Sequence, residues 1–373
     1  MSARQAESIC LFVCGDVMTG RGIDQVLPHP GNPVLYEPYV RDAREYVRLA
    51  ESVSGPIPRP VDFAYIWGDA LGELERAGTD VRIVNLETSI TASEDAWPGK
   101  GIHYRMHPRN VGCLTAAGIH CCVLANNHVL DWGYAGLRET LRTLDGAGIA
   151  RAGAGEHLAE AAAPAVLDVS RKGRVLIFSL GSTTSGIPPE WGAAHDRPGV
   201  NLLPDLSEET AERVAKQVRE AKRPGDVVVA SIHWGANWGY DIPGEQVRFA
   251  HRLVEGGVDV VHGHSSHHPK AIEVYRDRLI LYGCGDFVDD YEGISGYEAF
   301  RDDLRLMYLA RVEPQQGRLV EARLVPLQVR RFRLHRASAA DAQWLCDLLN
   351  RLGAPLGTGV QLGSDHRLTL RWE

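Results

Sequence analysis

Short apolar runs alternate with longer amphipathic segments along most of this chain, and that alternation restricts the folds it can adopt. A short run of β-branched residues predicts a buried strand, whereas apolar residues at helical spacing predict a helix that packs on one face. Strands that alternate with helices predict a layered α/β fold with a largely parallel sheet. The predicted strands are Ile9–Cys14, Val81–Asn85, Cys121–Ala125, Val175–Leu180, Val227–Ile232 and Val258–Val261. The predicted helices are Glu37–Ser52, Ala64–Ala77, Gly133–Ala147, Ser207–Lys222 and Gln246–Glu255.

Polar clusters directly follow most of these strands. Ligands bind at the carboxyl ends of strands in parallel sheets, so the clusters are expected to converge on one edge. Their carboxylates, amide oxygens and neutral imidazoles are ligands for a hard or borderline cation. The clusters contain Asp16, Asn85, Glu87, Asn126, Asn127, His128, Asp131, His233, His262, His264, His267 and His268.

Each of these residues, taken alone, has a structural alternative. Asp16 could cap a helix, Asn127 could stabilise a turn, and His233 could be a hydrogen-bonded core histidine. The joint pattern favours a metal site, and the histidine-rich stretch "HGHSSHH" contributes most to it. The predicted cofactor is a divalent ion, and the sequence leaves Ca, Mn, Mg and Zn open.

Six ordered stretches resemble a known family: "GDVMTGRG", "NLETSI", "NNHVLDWG", "SIHWG", "GHSSHHPKAIEVY" and "LYGCGDF". They are similar to the CapA-type (poly-γ-glutamate synthesis) branch of the calcineurin-like metallophosphoesterases, from about Cys10 to Asp290. The resemblance implies a four-layer αββα sandwich with a metal centre at the carboxyl ends of the strands. Residues 1–300 would form this metal-site domain. Residues 301–373, with predicted strands Leu304–Val312 and Leu319–Arg333 and a helix at Ala339–Leu352, would pack on the same domain.

The resemblance also implies roles for individual residues. It gives His128 the acid/base role, and it leaves His262 and His268 outside the motif, as structural residues or supports for the ligands. The metal-binding positions that it implies are Asp16, Glu87, Asn127, His233, His264 and His267.

Two positions depart from the superfamily pattern. Met18 replaces the histidine of an Asp-x-His motif, and Asn-Leu-Glu, ending at Glu87, replaces Gly-Asp-x-x-Asp. Both changes remove ligands from the two-metal clamp that commonly serves phosphoryl transfer. If one metal is held well, other groups become free for proton transfer, as in enolase-type sites. The candidate acid/base residues are His128, Asp131, Asp16, His267 and Asp286.

Candidate substrate contacts lie beside the motifs. Trp132, Trp234, Trp238 and Tyr240 could hold an apolar or aromatic side chain of a peptide, or could pack the layers of the fold. Arg21 could bind a phosphate or a peptide carboxylate as a two-pronged donor.

Three functions are consistent with this sequence. The first is a metal-dependent epimerase that inverts a Cα in a ribosomally made precursor peptide, as in lasso-peptide maturation. The second is a metal-dependent phosphoester hydrolase, and the third is a non-catalytic, CapA-like binder of an anionic polymer or peptide. The expected partner is therefore a peptide substrate, and the oligomeric state is not predicted.

Charge and cysteine content limit the location and the other partners. The net charge of −8, without a block of Lys or Arg, disfavours nucleic acid. No apolar run is long enough to span a membrane, and "MSARQAESICLFVCGD" does not resemble a signal peptide. Seven cysteines without a C-x-x-C motif are typical of a reduced compartment. We therefore expect a cytoplasmic protein.

Overall fold

The computed structural model of the chain describes residues 8–373. The prediction about the N-terminal leader falls partly on residues 1–7, which lie outside the described part. The strands, in chain order, are β1 (Ile9–Val17), β2 (Val81–Leu86), β3 (Ser89–Ile90), β4 (Arg105–Met106), β5 (Cys121–Val123), β6 (Ala150–Ala152), β7 (Ala154–Gly155), β8 (Ala165–Val169), β9 (Gly173–Ser182), β10 (Gly199–Val200), β11 (Leu202–Leu203), β12 (Val227–His233), β13 (Val260–His264), β14 (Ile272–Tyr275), β15 (Arg278–Leu281), β16 (Asp286–Val288), β17 (Leu304–Glu313), β18 (Arg318–Arg330), β19 (Arg333–Arg336), β20 (Thr358–Leu362) and β21 (Leu368–Trp372). The α-helices are Arg21–Val26, Arg44–Ser54, Asp69–Ala77, Gly112–Ala116, Gly133–Gly146, Leu158–Ala162, Glu208–Ala221, Gly244–Glu255 and Ala339–Gly353.

Most of the strands form two sheets, which we call sheet I and sheet II. Sheet I has the order β20-β21-β18-β17-β1-β2-β5-β6, with β16 beside β1 and β19 beside β18. Sheet II has the order β11-β9-β12-β13-β15-β14, with β8 beside β9. The strands that carry the polar clusters, β1, β2 and β5 in sheet I and β12 and β13 in sheet II, pair in parallel with one another within each sheet.

Side-chain alternation along each strand builds the layers. In β1, Leu11 and Val13 point into the core between the sheets, whereas Phe12 and Cys14 pack against the helices that cover sheet I. The alternation in sheet II is equivalent: Val229 lies between the sheets, and its neighbours pack against the helices Glu208–Ala221 and Gly244–Glu255. Since both faces of each sheet are covered, the strands are apolar on both sides. The predicted αββα sandwich is confirmed.

Residues 301–373 continue sheet I. Strand β17 pairs with β1 on one side and with β18 on the other. The hairpin of β20 and β21 extends the edge beyond β18. From the helix Ala339–Gly353, Leu345 and Leu349 enter the core between the sheets.

Several predicted boundaries differ from the structure. Strand β13 begins at Val260 and runs to His264, because it pairs with β12 as far as His233. The helix predicted from Glu37 begins at Arg44, because an extended bridge between Val34 and Asp42 precedes it.

Two further segments are interrupted by turns. In the predicted helix Ala64–Ala77, Gly68 with φ +46° separates a 3-10 turn from the helix at Asp69–Ala77. In the predicted strand Leu319–Arg333, positive φ values at Arg331 and Phe332 turn the chain between β18 and β19.

A bulge in β1 lies at the end of the strand that carries its polar residues. The pairing of β1 with β2 shifts register between Val13 and Asp16. Gly15 lies so close to Gly285 that a Cβ atom would come within 1.5 Å of its carbonyl oxygen. This position therefore requires glycine, and the close approach leads directly into Asp16. Among residues 8–373, none of the helices combines the length and the apolar character that a bilayer span requires.

Candidate metal centre

Asp16, near the end of β1, belongs to two groups of possible metal ligands. One group joins Asp16 to His233 and His264, and the other joins it to His267 and Asp286. Within each group, the candidate ligand atoms lie within 4.8 Å of one another. The two groups thus share one carboxylate, and they lie where sheets I and II meet.

The pairing of β12 with β13 forms the first group. His233 and His264 are register partners, so their rings lie side by side with their Nδ1 atoms 2.8 Å apart. The Nδ1 of His264 is 3.8 Å from Asp16 Oδ1. The Nε2 of His233 is 3.0 Å from Asn127 Oδ1 and 3.8 Å from Glu87 Oε1. The metal-binding positions that the sequence predicts at the ends of β1, β2, β5, β12 and β13 are therefore brought together.

The pairing of β1 with β16 forms the second group. Asp16 and Asp286 are register partners in parallel strands. His267 Nδ1 lies 2.9 Å from Asp286 Oδ1. Asp286, which the sequence placed among the acid/base candidates, thus also takes a position suited to a metal ligand.

The donor set fits a divalent cation. Asp16 Oδ2 and Asp286 Oδ2 are buried and have no hydrogen-bond partner among the described residues. Burial, together with the charge of Asp286, raises the pKa of Asp16 to about 7, and burial beside Asp16 raises the pKa of Glu87 well above its usual value. Buried carboxylates in such proximity need a compensating positive charge. Mixed imidazole and carboxylate donors suit divalent metal ions of several kinds.

His128 forms a dyad with Asp131 beside the two groups. Its Nδ1 lies 2.6 Å from Asp131 Oδ2, and its Nε2 lies 3.9 Å from Glu87 Oε1. Since a carboxylate only accepts, Nδ1 donates to Asp131 and Nε2 keeps a lone pair. Burial and the charge of Lys100 hold the pKa of His128 well below its usual range. His128 is therefore a neutral imidazole, oriented by Asp131, with Nε2 able to accept a proton.

Two residues that the sequence analysis did not select support this dyad. Lys100 donates to Asp131 and to the backbone carbonyl of Asn127, and its Nζ lies 3.1 Å from His128 Nδ1. The ring of Tyr104 stacks on His128 with centroids 3.8 Å apart. Neither residue lies in a strand or a helix, so no periodic pattern marks them. The glycines around Lys100 in "PGKG" were the one local signal of a loop.

A cavity of about 520 Å³ opens on the metal centre. Polar residues of the centre and aromatic side chains line it together. Its lining includes Glu87, Lys100, Asn127, His128, His267, Tyr46, Tyr104, Trp238, Tyr291 and Tyr297. The cavity combines acid/base groups with an apolar wall, as ligand sites commonly do.

The predicted aromatic contacts divide between cavity and interior. Trp238 lines the cavity and stacks on Tyr297 at 3.9 Å, whereas Tyr240 packs against His268 outside the lining. Trp132 and Trp234 are almost fully buried, and each donates its indole N–H to a backbone carbonyl. For these two tryptophans the structure corrects the expectation of a cleft position, since they pack the layers.

Arg21 lines the cavity with its donors already engaged. It forms a two-pronged pair with Asp290 and a third contact to Glu37 at 2.9 Å. Asp289 pairs with the buried Arg305. Asp289 and Asp290 are therefore not solvated loop acids, because each is buried against an arginine.

The comparisons with known proteins agree with these motifs. The family described as "Bacterial capsule synthesis protein PGA_cap" matches residues 10–291. A Mycobacterium tuberculosis protein named "Probable polyglutamine synthesis accessory protein" is 50% identical over 367 residues, which cover 98% of this chain and 97% of that protein. The "Capsule biosynthesis protein CapA" of Bacillus anthracis is 24% identical over 310 residues, which cover 82% of this chain and 64% of that protein.

Among solved structures, a 5'-nucleotidase precursor from Thermus thermophilus aligns with a TM-score of 0.47 at 14% identity, covering 93% of this chain and 59% of that one. The family match and the mycobacterial relative each span most of the described fold, including the strands that carry the metal centre. This chain belongs to the bacterial capsule synthesis protein family PGA_cap.

Proposed function

We propose that this chain is a metal-dependent phosphoester hydrolase that acts on an anionic substrate connected with capsule or polyglutamate-type synthesis. One observation carries the proposal: two groups of ligands share Asp16 beside a cavity that also contains His128. The departures at Met18 and in Asn-Leu-Glu suggested a centre for one ion, but Asp286 and His267 supply a second group. The names of the relatives suggest the substrate class.

The ligand groups would hold the metal through Asp16, His233, His264, His267 and Asp286, with Glu87 and Asn127 beside them. Divalent ions bound there would supply Lewis-acid polarisation of the substrate oxygens. The shared carboxylate suits two neighbouring ions, which is the arrangement that in-line displacement at phosphorus uses.

The chain's own residues would manage the proton. His128 would accept a proton at Nε2, since its Nδ1–H is directed to Asp131. Lys100 would hold the ring in place indirectly, through Asp131, and Tyr104 would hold it by stacking. The stack of Trp238 on Tyr297 would shield the cavity from water and hold the apolar part of a substrate.

A second candidate function, Cα epimerisation of a peptide, is favoured by a different feature. The cavity is lined by two histidines that are each paired with a buried aspartate: His128 with Asp131, and His267 with Asp286. The pKa of His128 lies below its usual range, whereas the pKa of His267 is raised, against the effect of burial, by Asp286. Such a separation suits one base and one acid, provided that His267 is not occupied as a ligand.

The number of ions per chain separates the two functions. We would load the protein with Mn²⁺, count the ions by elemental analysis, and follow p-nitrophenolate release from bis(p-nitrophenyl) phosphate. Two ions, with turnover that His128→Ala abolishes, would support the hydrolase. One ion, with deuterium uptake at a Cα of a candidate precursor peptide in heavy water, would support the epimerase. Bound ions with neither reaction would refute both and favour a non-catalytic binder of an anionic polymer.

A further inference from the structure

A chain of hydrogen bonds leads to the first ligand group through residues that do not line the cavity. It begins at the backbone carbonyl of Cys14, which accepts from His262 Nε2 at 2.7 Å. His262 Nδ1 is 3.0 Å from Ser231 Oγ, and Ser231 Oγ is 2.9 Å from His264 Nε2. All of these side chains are buried.

The bulge in β1 makes the carbonyl of Cys14 available. The register of β1 with β2 passes from Val13 directly to Asp16, and the register of β1 with β17 ends at Val13. Cys14 therefore has no register partner in either ladder, and its carbonyl points to the ring from sheet II.

The direction of each proton follows from this anchor. A carbonyl can only accept, so the Nε2 of His262 carries a hydrogen. His262 is fully buried and has no carboxylate among its hydrogen-bond partners, so a charged ring would be uncompensated. Its Nδ1 is then an acceptor, and the single hydroxyl hydrogen of Ser231 is directed to it.

The hydroxyl oxygen of Ser231 is left to accept from His264. The Nε2 of His264 must then be the protonated nitrogen, and its Nδ1 keeps a lone pair. That Nδ1 is the atom that faces Asp16 Oδ1 at 3.8 Å and His233 Nδ1 at 2.8 Å.

We propose that the Cys14 carbonyl, His262 and Ser231 fix His264 in its Nε2–H tautomer, so that Nδ1 is ready to bind a metal ion. His262 and Ser231 are thus positioning residues. The inference rests on the proposed function in one respect, since it concerns the same ligand group. It does not require turnover, because the tautomer of His264 is a property of the protein without substrate. A ligand held in the wrong tautomer must exchange its proton before binding, and outer partners of this kind typically change metal affinity by about 10- to 100-fold.

The test compares Ser231→Ala with a matched control, Ser179→Ala. Ser179 is the register partner of Ser231 on β9, is also buried, and contacts Ala125 N rather than the histidine chain. The full chain, stripped of metal and labelled with ¹⁵N in histidine, would be examined by long-range ¹H–¹⁵N correlation at neutral pH. Signals of His264 would be assigned from their loss in His264→Gln. Mn²⁺ affinity would be measured by calorimetry, with circular dichroism to show that each variant is folded.

The expected wild-type spectrum shows His264 protonated at Nε2. Ser231→Ala should lose this preference and bind Mn²⁺ about 10- to 100-fold more weakly, while Ser179→Ala retains both properties. His264 protonated at Nδ1 in the wild type, or unchanged Mn²⁺ affinity in folded Ser231→Ala, would overturn the inference. If the wild type binds no Mn²⁺, the proposed function fails, and the tautomer in the spectrum alone decides the inference.

Discussion

The buried pair of Arg21 and Asp290 offers a quantitative test of the site's electrostatics. Asp290 accepts from Arg21 Nε at 3.1 Å, from a second guanidinium nitrogen, and from the backbone N–H of Gly22 at 2.8 Å. Both side chains are at most 3% exposed. The change Asp290→Asn keeps the shape of the side chain and removes its charge, so it leaves the guanidinium with an incomplete set of partners.

The loss of unfolding free energy in Asp290→Asn can be estimated from the partners that Arg21 keeps. Breaking a buried ion pair by removing one partner costs about 3–5 kcal/mol. Arg21 keeps one carboxylate, Glu37, at 2.9 Å. This second partner compensates part of the charge, so we expect a loss near the lower end, about 3 kcal/mol of unfolding free energy.

An exposed pair provides the matched control. Arg44 and Asp42 also form a two-pronged contact, but their side chains are 57% and 32% exposed. The same substitution, Asp42→Asn, should cost less than about 1 kcal/mol. Urea unfolding at pH 8 in EDTA, followed by tryptophan fluorescence and circular dichroism, would give both values. If Asp290→Asn lowers the unfolding free energy by no more than Asp42→Asn does, the conclusion that the buried carboxylate of Asp290 stabilises Arg21 is refuted.

Three further predictions address the metal centre and its histidines. Because both ligand groups share Asp16, Asp16→Asn should abolish Mn²⁺ binding measured by calorimetry. Asp286→Asn should remove at most one ion per chain. Equal losses of bound Mn²⁺ in the two variants would contradict the shared carboxylate. His128→Ala should lower kcat about 10²- to 10⁴-fold without changing Mn²⁺ affinity, and a parallel loss of affinity would make His128 a ligand instead. Burial lowers the pKa of His268 from 6.5 to about 4, so the unfolded chain gains a proton near pH 6.5 and the folded chain only near pH 4. The free energy of unfolding should therefore fall as pH falls through this interval, by up to about 3 kcal/mol from this ring. His268→Gln should make the decline shallower in urea titrations of the metal-free protein, and an unchanged slope would be inconsistent with a buried neutral ring.

The parts of the site that could be predicted are those tied to strand ends. Asp16, His233 and His264 each lie at or just beyond the end of an apolar run whose strand character is evident from its residues. Since parallel strands bring their carboxyl ends to one edge, the convergence of these side chains follows from sheet geometry. The layered fold was predictable for the same reason, from the alternation of strands and helices.

The parts that could not be predicted depend on contacts between distant segments. Lys100 reaches Asp131 from an irregular loop, and Asp290 is buried only because Arg21 approaches it. An acidic residue in a loop is most often solvated, and nothing near Asp290 in the sequence indicates that it is buried. The positions of the tryptophans could not be predicted for the same reason. Nothing in the neighbouring sequence distinguishes Trp238, which lines the cavity, from Trp234, which is buried in the interior.

The position of β1 in the centre of sheet I has a consequence for how the chain acquires its structure. Ile9, at the start of β1, pairs with Val312 of β17, and Asp16 pairs with Asp286 of β16. Strand β1 therefore lacks these neighbours until almost the whole of the metal-site region has been synthesised. Such long-range pairing closes late and slowly. We therefore expect Asp16 to reach its place beside Asp286 late in folding, and nascent or truncated chains that lack β16 and β17 should not capture a metal ion at this centre.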